Sequence, residues 1–479
     1  MTISRSKKLM KNTVIISIGK ICTSMITFLL LPLYTSILST EEYGIVDLLN
    51  TLMSLLLPII GLQVEKGVFR ELLESRKNQT SKQEIITTGF LVLILQCLIF
   101  IPIFIFVSPF IKNDYQYFLL INVLAYVLVS FLQQVARGLD AMTEYAISSF
   151  INAAGTIIFN VLFLVIFRLN VYGMLLGTFL GFCVTLAYLI YSLHFSSYIH
   201  LSKFRKPILK TLFQYSLPLI PNALAWWVFS ASDRVIVSSI LGLDANGILA
   251  ASLKFSATIT TLYNIFDTSW IESVSTAIND KDINTYFNRI TNIVIKLFTS
   301  LGLVIIAFMP FVFSLLINEK FESAYYLIPI TIISAILNIV QGLVAVVYAA
   351  KRNTKSIART SLTAAIINII IHLLLIKPIG IYAAVISTLA AFLTLSTYRI
   401  FDVSKKYFKV VLDKKFTILS FVIFTFVIAT YYINNTYVNI LSIIITIMFV
   451  TLINKGSFTY IRDIIVKKLL KKGANHYES

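Results

Sequence analysis

The chain has 479 residues, 58% hydrophobic and only 13% charged, where a soluble domain is roughly a quarter charged. This excludes a soluble globule and supplies enough apolar residues for roughly fourteen spans of ~20 residues, the length that crosses ~30 Å of hydrocarbon. The 40 Lys and Arg against 22 Asp and Glu, formally +18, would suggest nucleic acid in a soluble protein, but here they fall between apolar runs, so no nucleic-acid partner is expected.

The basic start, Met1 to Lys11, looks like the first part of a signal peptide. The apolar stretch after it is too long and lacks a small-residue cleavage site, so 14–38 is expected to remain as the first span. Apolar runs then predict spans near 43–64, 85–107, 116–136, 145–167, 171–193, 216–241, 246–270, 290–317, 325–349, 357–376, 379–400, 416–434 and 437–454. Cys22, Cys97 and Cys183 lie inside apolar segments without Cys-x-x-Cys spacing, which supports neither a disulfide framework nor a metal site. After the last span, Tyr460–Lys472 places Ile461, Ile464, Ile465 and Leu469 on one helical face among Lys467, Lys468, Lys471 and Lys472. That pattern suits a helix lying on anionic lipid, with a solvated tail as the alternative.

Sorting basic residues by alternate connections puts 32 in the two tails and one set of loops or at the span edges beside them, against four, Lys112, Arg168, Lys320 and Lys377, in the other. The positive-inside rule then places both termini in the cytoplasm. No connection is long enough for a separate folded domain.

The segment Ile37-Leu38-Ser39-Thr40-Glu41-Glu42-Tyr43-Gly44-Ile45 recurs as Ile240-Leu241-Gly242-Leu243-Asp244-Ala245-Asn246-Gly247-Ile248, and Asn160…Gly173 is echoed by Asn368…Gly380 at a similar offset. Six spans separate the copies, so the halves share one orientation. The expected architecture is all-α and polytopic. It has about 14 transmembrane helices: two six-helix lobes in parallel pseudo-two-fold repeat, residues 1–200 and 201–401, then helices 13 and 14 and a basic tail in 402–479.

No nucleotide-binding, zincin or hydrolase signature occurs, and His194, His200, His372 and His476 are scattered. Asp280-Lys281-Asp282 resembles a glycosyltransferase fragment, but without a catalytic domain around it we read a solvated loop and expect no enzyme, cofactor or metal. Charge inside a span costs at least ~2.5 kcal/mol, so in-span ionisable groups are candidate functional residues. Asp47 and Asp267 fall near predicted ends, where water is close. Lys20 and Lys296 sit ~10–14 Å inside long helices, within reach of snorkelling or of a function. Asp233 and Lys254 have equal depth on the hairpin of spans seven and eight, which suits a buried pair. Arg234 is then left over to grip phosphate in a water-filled cavity. Gly173, Gly177 and Gly181 read as a close helix crossing, and Pro32, Pro58, Pro218 and Pro221 as sites of bending.

Ser216-Leu217-Pro218-Leu219-Ile220-Pro221, Ser232-Asp233-Arg234, Ile240-Leu241-Gly242 and Asn246-Gly247-Ile248, with Gly67-Val68-Phe69-Arg70 and Arg137-Gly138 in the first half, resemble the Wzx-type O-antigen and polysaccharide flippases of the multidrug/oligosaccharidyl-lipid/polysaccharide exporter superfamily. The resemblance implies transport of an undecaprenyl-diphosphate-linked oligosaccharide from the inner to the outer leaflet of the bacterial plasma membrane by alternating access. The candidate substrate-path residues are Arg234, Lys254, Lys20, Lys296, Asp233, Arg70 and Arg137, of which the resemblance carries over only the Asp233-Arg234 pair as an exact cavity position. Its implied partners are the lipid-linked oligosaccharide, membrane lipids, a polysaccharide polymerase and other export machinery. A multidrug or other ion-coupled exporter of the same fold is the alternative, and in-span bases outnumber acids by only four to three.

Overall fold

The computed structural model describes residues 28–75, 78–108, 114–351 and 353–474. Among these the chain is helical throughout, without a strand. In chain order the helices are α1 (Leu31–Ile37), α2 (Thr40–Ile60), α3 (Val64–Glu74), α4 (Gln79–Val107), α5 (Gln116–Gly138), α6 (Met142–Val161), α7 (Asn170–Ser192), α8 (Lys206–Ser216), α9 (Leu219–Ile240) and α10 (Leu243–Ala277). They continue with α11 (Ile283–Leu316), α12 (Ile328–Ala350), α13 (Thr354–Ile379), α14 (Tyr382–Lys406), α15 (Lys414–Ile433) and α16 (Thr436–Ala474).

Every predicted span from 43–64 onward coincides with one of these helices, whereas most of the first span, with Lys20 and Cys22, lies outside the described residues. Among the described residues eleven helices are long and apolar enough to cross a membrane by themselves. Helices α9 and α10, the predicted spans seven and eight, are not among them because Asp233, Arg234, Lys254 and several hydroxyl residues dilute their apolar content. Large apolar side chains stay exposed along the spans, Phe106 at 76% and Phe421 at 73% among them. Water would not tolerate that surface, and lipid does. The protein is a multi-pass membrane protein.

Two short helices fall where only connections were expected, α3 inside 65–84 and α8 inside 194–215. α3 buries Val64, Val68 and Leu72 on one face while Arg70, Leu73 and Glu74 remain exposed, the stripe of an amphipathic helix. It packs on α5 and α8.

The chain forms two compact units, Met1–Ala251 with Asn368–Ala384, and Ser252–Ile367 with Val385–Ser479. In the first, Ser39 caps α2 through a capping box, its Oγ accepting from the Glu42 amide while Glu42 Oε2 accepts from the Ser39 amide. The two repeat copies meet there. Asn246 Nδ2 donates to Gly44 O at 2.9 Å, and Thr40 Oγ1 donates to Asp244 Oδ1 at 2.5 Å. Gly177 and Gly181 bring α7 against Asn160 and Thr156 of α6, so a Cβ at either would fall within 2.2 Å of those side chains, the close packing that their spacing predicts. In the second unit Tyr325 and Tyr431 stack at 4.1 Å, each hydroxyl donating to the other's carbonyl.

Candidate functional site

Asp233 and Arg234 are consecutive on α9, so their side chains leave the helix about 100° apart and reach different neighbours. Arg234 Nε donates to Asp47 Oδ2 of α2 at 2.8 Å. Asp233 Oδ1 lies 2.8 Å from His372 Nδ1 of α13. A carboxylate only accepts, so Nδ1 carries the proton. Asp47, Asp233 and His372 each sit seven residues from a helix end, at Thr40, Ile240 and Ile379, a depth of ~10 Å. The His372 side chain is fully buried, while Asp47, Asp233 and Arg234 are 16–22% exposed. One turn of α9 therefore holds two side-chain contacts within a predicted span, and Trp227 of the same helix donates from Nε1 to Thr51 O of α2 at 3.0 Å.

This corrects the expectation that Arg234 is left over. The reason is where α2 begins. Its capping box starts the helix at Thr40, which moves Asp47 two turns inward, away from water and into reach of the guanidinium. His372 is the residue that sequence reasoning missed. The four histidines are scattered in the sequence, and His372 alone of them falls within a predicted span. Its Nε2 is buried without a hydrogen-bond partner, so the ring's one polar contact among the described residues is the Nδ1–H donated to Asp233.

Lys254 lies half-buried on α10, and its carbonyl accepts from Thr258 Oγ1. Lys296 reaches the connection before α15, where its Nζ donates to Asp413 Oδ2 at 2.7 Å. The segment 409–413 is fastened to α11 by Asn288 and Asn292, two turns and one turn back from Lys296. Asn288 bonds Lys409 O and the Val411 amide, and Asn292 bonds Val411 O and the Asp413 amide, all within 2.9 Å. Of the two readings of Lys296, the structure supplies a carboxylate partner at the helix-flanking connection.

Arg70 and Arg137 join one cluster built around α3. The Arg70 guanidinium lies 4.6 Å from the Tyr215 ring of α8, and that of Arg137 lies 4.6 Å from Phe69 and 5.6 Å from Tyr145. At the start of α3, burial pushes the Glu65 carboxyl up to about 7, against the lowering effects of its own amide and of Lys66. Among the described residues no group of three or more His, Cys, Asp or Glu is placed to hold a metal.

The sequence matches the family model of the polysaccharide biosynthesis proteins over residues 9–271. No curated protein matches it. Among solved structures, the lipid II flippase MurJ in an inward closed conformation is similar with a TM-score of 0.65 at 15% identity, covering 97% of this chain and all of that one. An inward-facing multidrug resistance MATE transporter of the MOP superfamily is similar with a TM-score of 0.63 at 13% identity, covering 81% of this chain and 98% of that one. At such identities the likeness concerns the fold. The family match spans more than half of the chain, which belongs to the polysaccharide biosynthesis protein family and has the fold of MOP-superfamily transporters.

Proposed function

We propose that the chain is a flippase that carries an undecaprenyl-diphosphate-linked oligosaccharide, an O-antigen, capsule or similar repeat unit, from the inner to the outer leaflet of the bacterial plasma membrane. The family match carries this reading. A diphosphate with polar sugars cannot enter hydrocarbon unaided, so the path must supply cationic groups that replace its water. Arg234 is the best placed of them. Asp47 fixes its orientation through Nε, and the fork of the guanidinium can address phosphate in pairs of bonds. Lys20, Lys254 and Lys296 are proposed as further contacts, Asp233 as a positioning group, and Arg70 and Arg137 as contacts near the cytoplasmic entrance. A polymerase and other export machinery would receive the product.

Both termini are proposed to be cytoplasmic. External labelling of a cysteine at Lys203 or Lys355 in intact cells would overturn that topology. The functional test is deletion of the gene. The reading expects loss of surface polysaccharide, with the lipid-linked repeat unit trapped in the inner leaflet. Unchanged polysaccharide together with new drug sensitivity would favour a multidrug exporter, the reading that the MATE-like fold also accommodates.

A further inference from the structure

A groove of about 150 Å³ lies between α13 and α14, away from the charged pairs described above. Its floor is apolar, made by Ala364, Ile367 and Leu395, and the exposed hydroxyl residues Thr363 and Thr394 flank it. At its mouth Arg359 Nη2 donates to Tyr398 Oη at 3.2 Å. Among the described residues Arg359 makes no salt bridge; Asp402 is near enough to feel its charge but is not bonded to it, so most of its five donors make no hydrogen bond. The neighbouring charges leave it so. Asp402 is held by Lys406 Nζ and by Tyr348 Oη, both at 2.7 Å. Arg399 is turned inward and 2% exposed, its guanidinium spent on Gln341, Thr360 and Ser361.

The face that carries the groove meets lipid. Leu362, Ile366 and Ile370 form the adjoining exposed stripe of α13, and Leu393 and Phe401 that of α14, within two helices apolar enough to span. Arg359 lies five residues from the start of α13, at headgroup depth, on the end of the hairpin where Lys355, Lys405 and Lys406 cluster. A basic pocket between helices, polar at headgroup level and apolar below, is the form that a lipid headgroup and the start of its acyl chain require.

The geometry points to this groove as a binding site for one anionic phospholipid, its phosphate on Arg359 and Tyr398 and its acyl chain along Ile367 and Leu395. Only the leaflet, the inner one, rests on the topology proposed above. The readout below is lipid retention and is independent of transport.

The full chain is purified, placed in nanodiscs of phosphatidylcholine with a minority of phosphatidylglycerol, and the retained lipid is counted by native mass spectrometry. Wild type should retain phosphatidylglycerol over phosphatidylcholine by about tenfold, and Arg359→Gln should bring the two near parity, the loss expected of one charge-assisted hydrogen-bonding site. Thr363→Trp, which fills the groove, should do the same, while Leu362→Trp on the adjoining lipid face should change nothing. Equal retention of the two lipids by wild type, or full phosphatidylglycerol retention by folded Arg359→Gln, overturns the site. Stoichiometric displacement of phosphatidylglycerol by added undecaprenyl diphosphate, lost in Arg359→Gln, overturns the assignment to phospholipid and gives the groove to a polyprenyl ligand.

Discussion

Gly44 of α2 and Gly247 of α10 cross so closely that a Cβ on Gly44 would lie 2.0 Å from Leu243 O, and one on Gly247 would lie 1.9 Å from Thr40 O. The obstructing atoms are backbone, so nothing can swing aside. The repeated Gly-Ile of the sequence is thus the point at which the two copies touch, and Asn246 fastens it by donating to Gly44 O. Gly44→Ala and Gly247→Ala should each lower the thermal midpoint of the purified protein, by an amount typical of overpacked cores, about 1–3 kcal/mol. Asn246→Ala should cost about 1 kcal/mol, since Gly44 O loses its side-chain donor. Wild-type melting of Gly247→Ala would show that the crossing is not held in the membrane.

The Arg234–Asp47 contact changes what loss of Arg234 should do. An unpaired guanidinium could be removed without structural cost, but Arg234→Ala strands Asp47, which is 16% exposed inside a span. Both Arg234→Ala and Asp47→Ala should reduce folded yield, by about 1–3 kcal/mol after allowance for their partial exposure. Exchanging the two charges should restore part of it. Additive losses in the double-mutant cycle would remove the pair as a stabilising contact.

Asp233 and His372 make the complementary case, because one partner is fully buried. Asp233→Ala should destabilise more than Asp233→Asn, whose amide oxygen can still accept from Nδ1. His372→Leu should cost stability by removing the Nδ1 donor from the Asp233 carboxylate, and combining it with Asp233→Asn should recover part of the loss, because the charge is then gone. A melting temperature for His372→Leu equal to wild type would mean that Asp233 does not depend on the ring.

Glu65 gives a pH signature. Its carboxyl is raised from 4.5 to about 7 by burial, and the residue is 4% exposed. Below pH 4.5 the folded and unfolded chains are both protonated there. As pH rises through 7 the unfolded chain is ionised while the folded one resists, so stability falls, by about 3 kcal/mol in all. Above pH 7 the loss is complete. Glu65→Gln should therefore melt higher than wild type at pH 8, with little difference at pH 4.5. Equal pH slopes between pH 4.5 and 8 for the two proteins would contradict a buried carboxyl.

Apolar runs made the long helices legible, because a span must satisfy its own backbone and be apolar over its whole length. They said little about α3 and α8, whose stripes of three or four apolar residues do not register as spans. Asp233 and Arg234 stood out as costly charges, but their partners did not. Asp47 and His372 come from helices 187 and 139 residues away, and only packing brings them to α9. The Gly44–Gly247 contact is the exception, since both residues were already marked by the repeat. Arg399, at the edge of the predicted span 379–400, sorts with the connection that follows it, whereas the fold buries it inside α14.

The central claim is tested most directly with the purified protein in proteoliposomes loaded with undecaprenyl-diphosphate-linked oligosaccharide in one leaflet, the sugar on the far side being read by an impermeant glycan-modifying reagent. The account predicts that wild type makes the trapped half accessible. Arg234→Lys, which keeps the charge but loses the fork, should be slower, and the Arg234–Asp47 charge exchange, though folded, should be inactive. Accessibility no faster than in protein-free vesicles, from a protein shown to be folded, would contradict it.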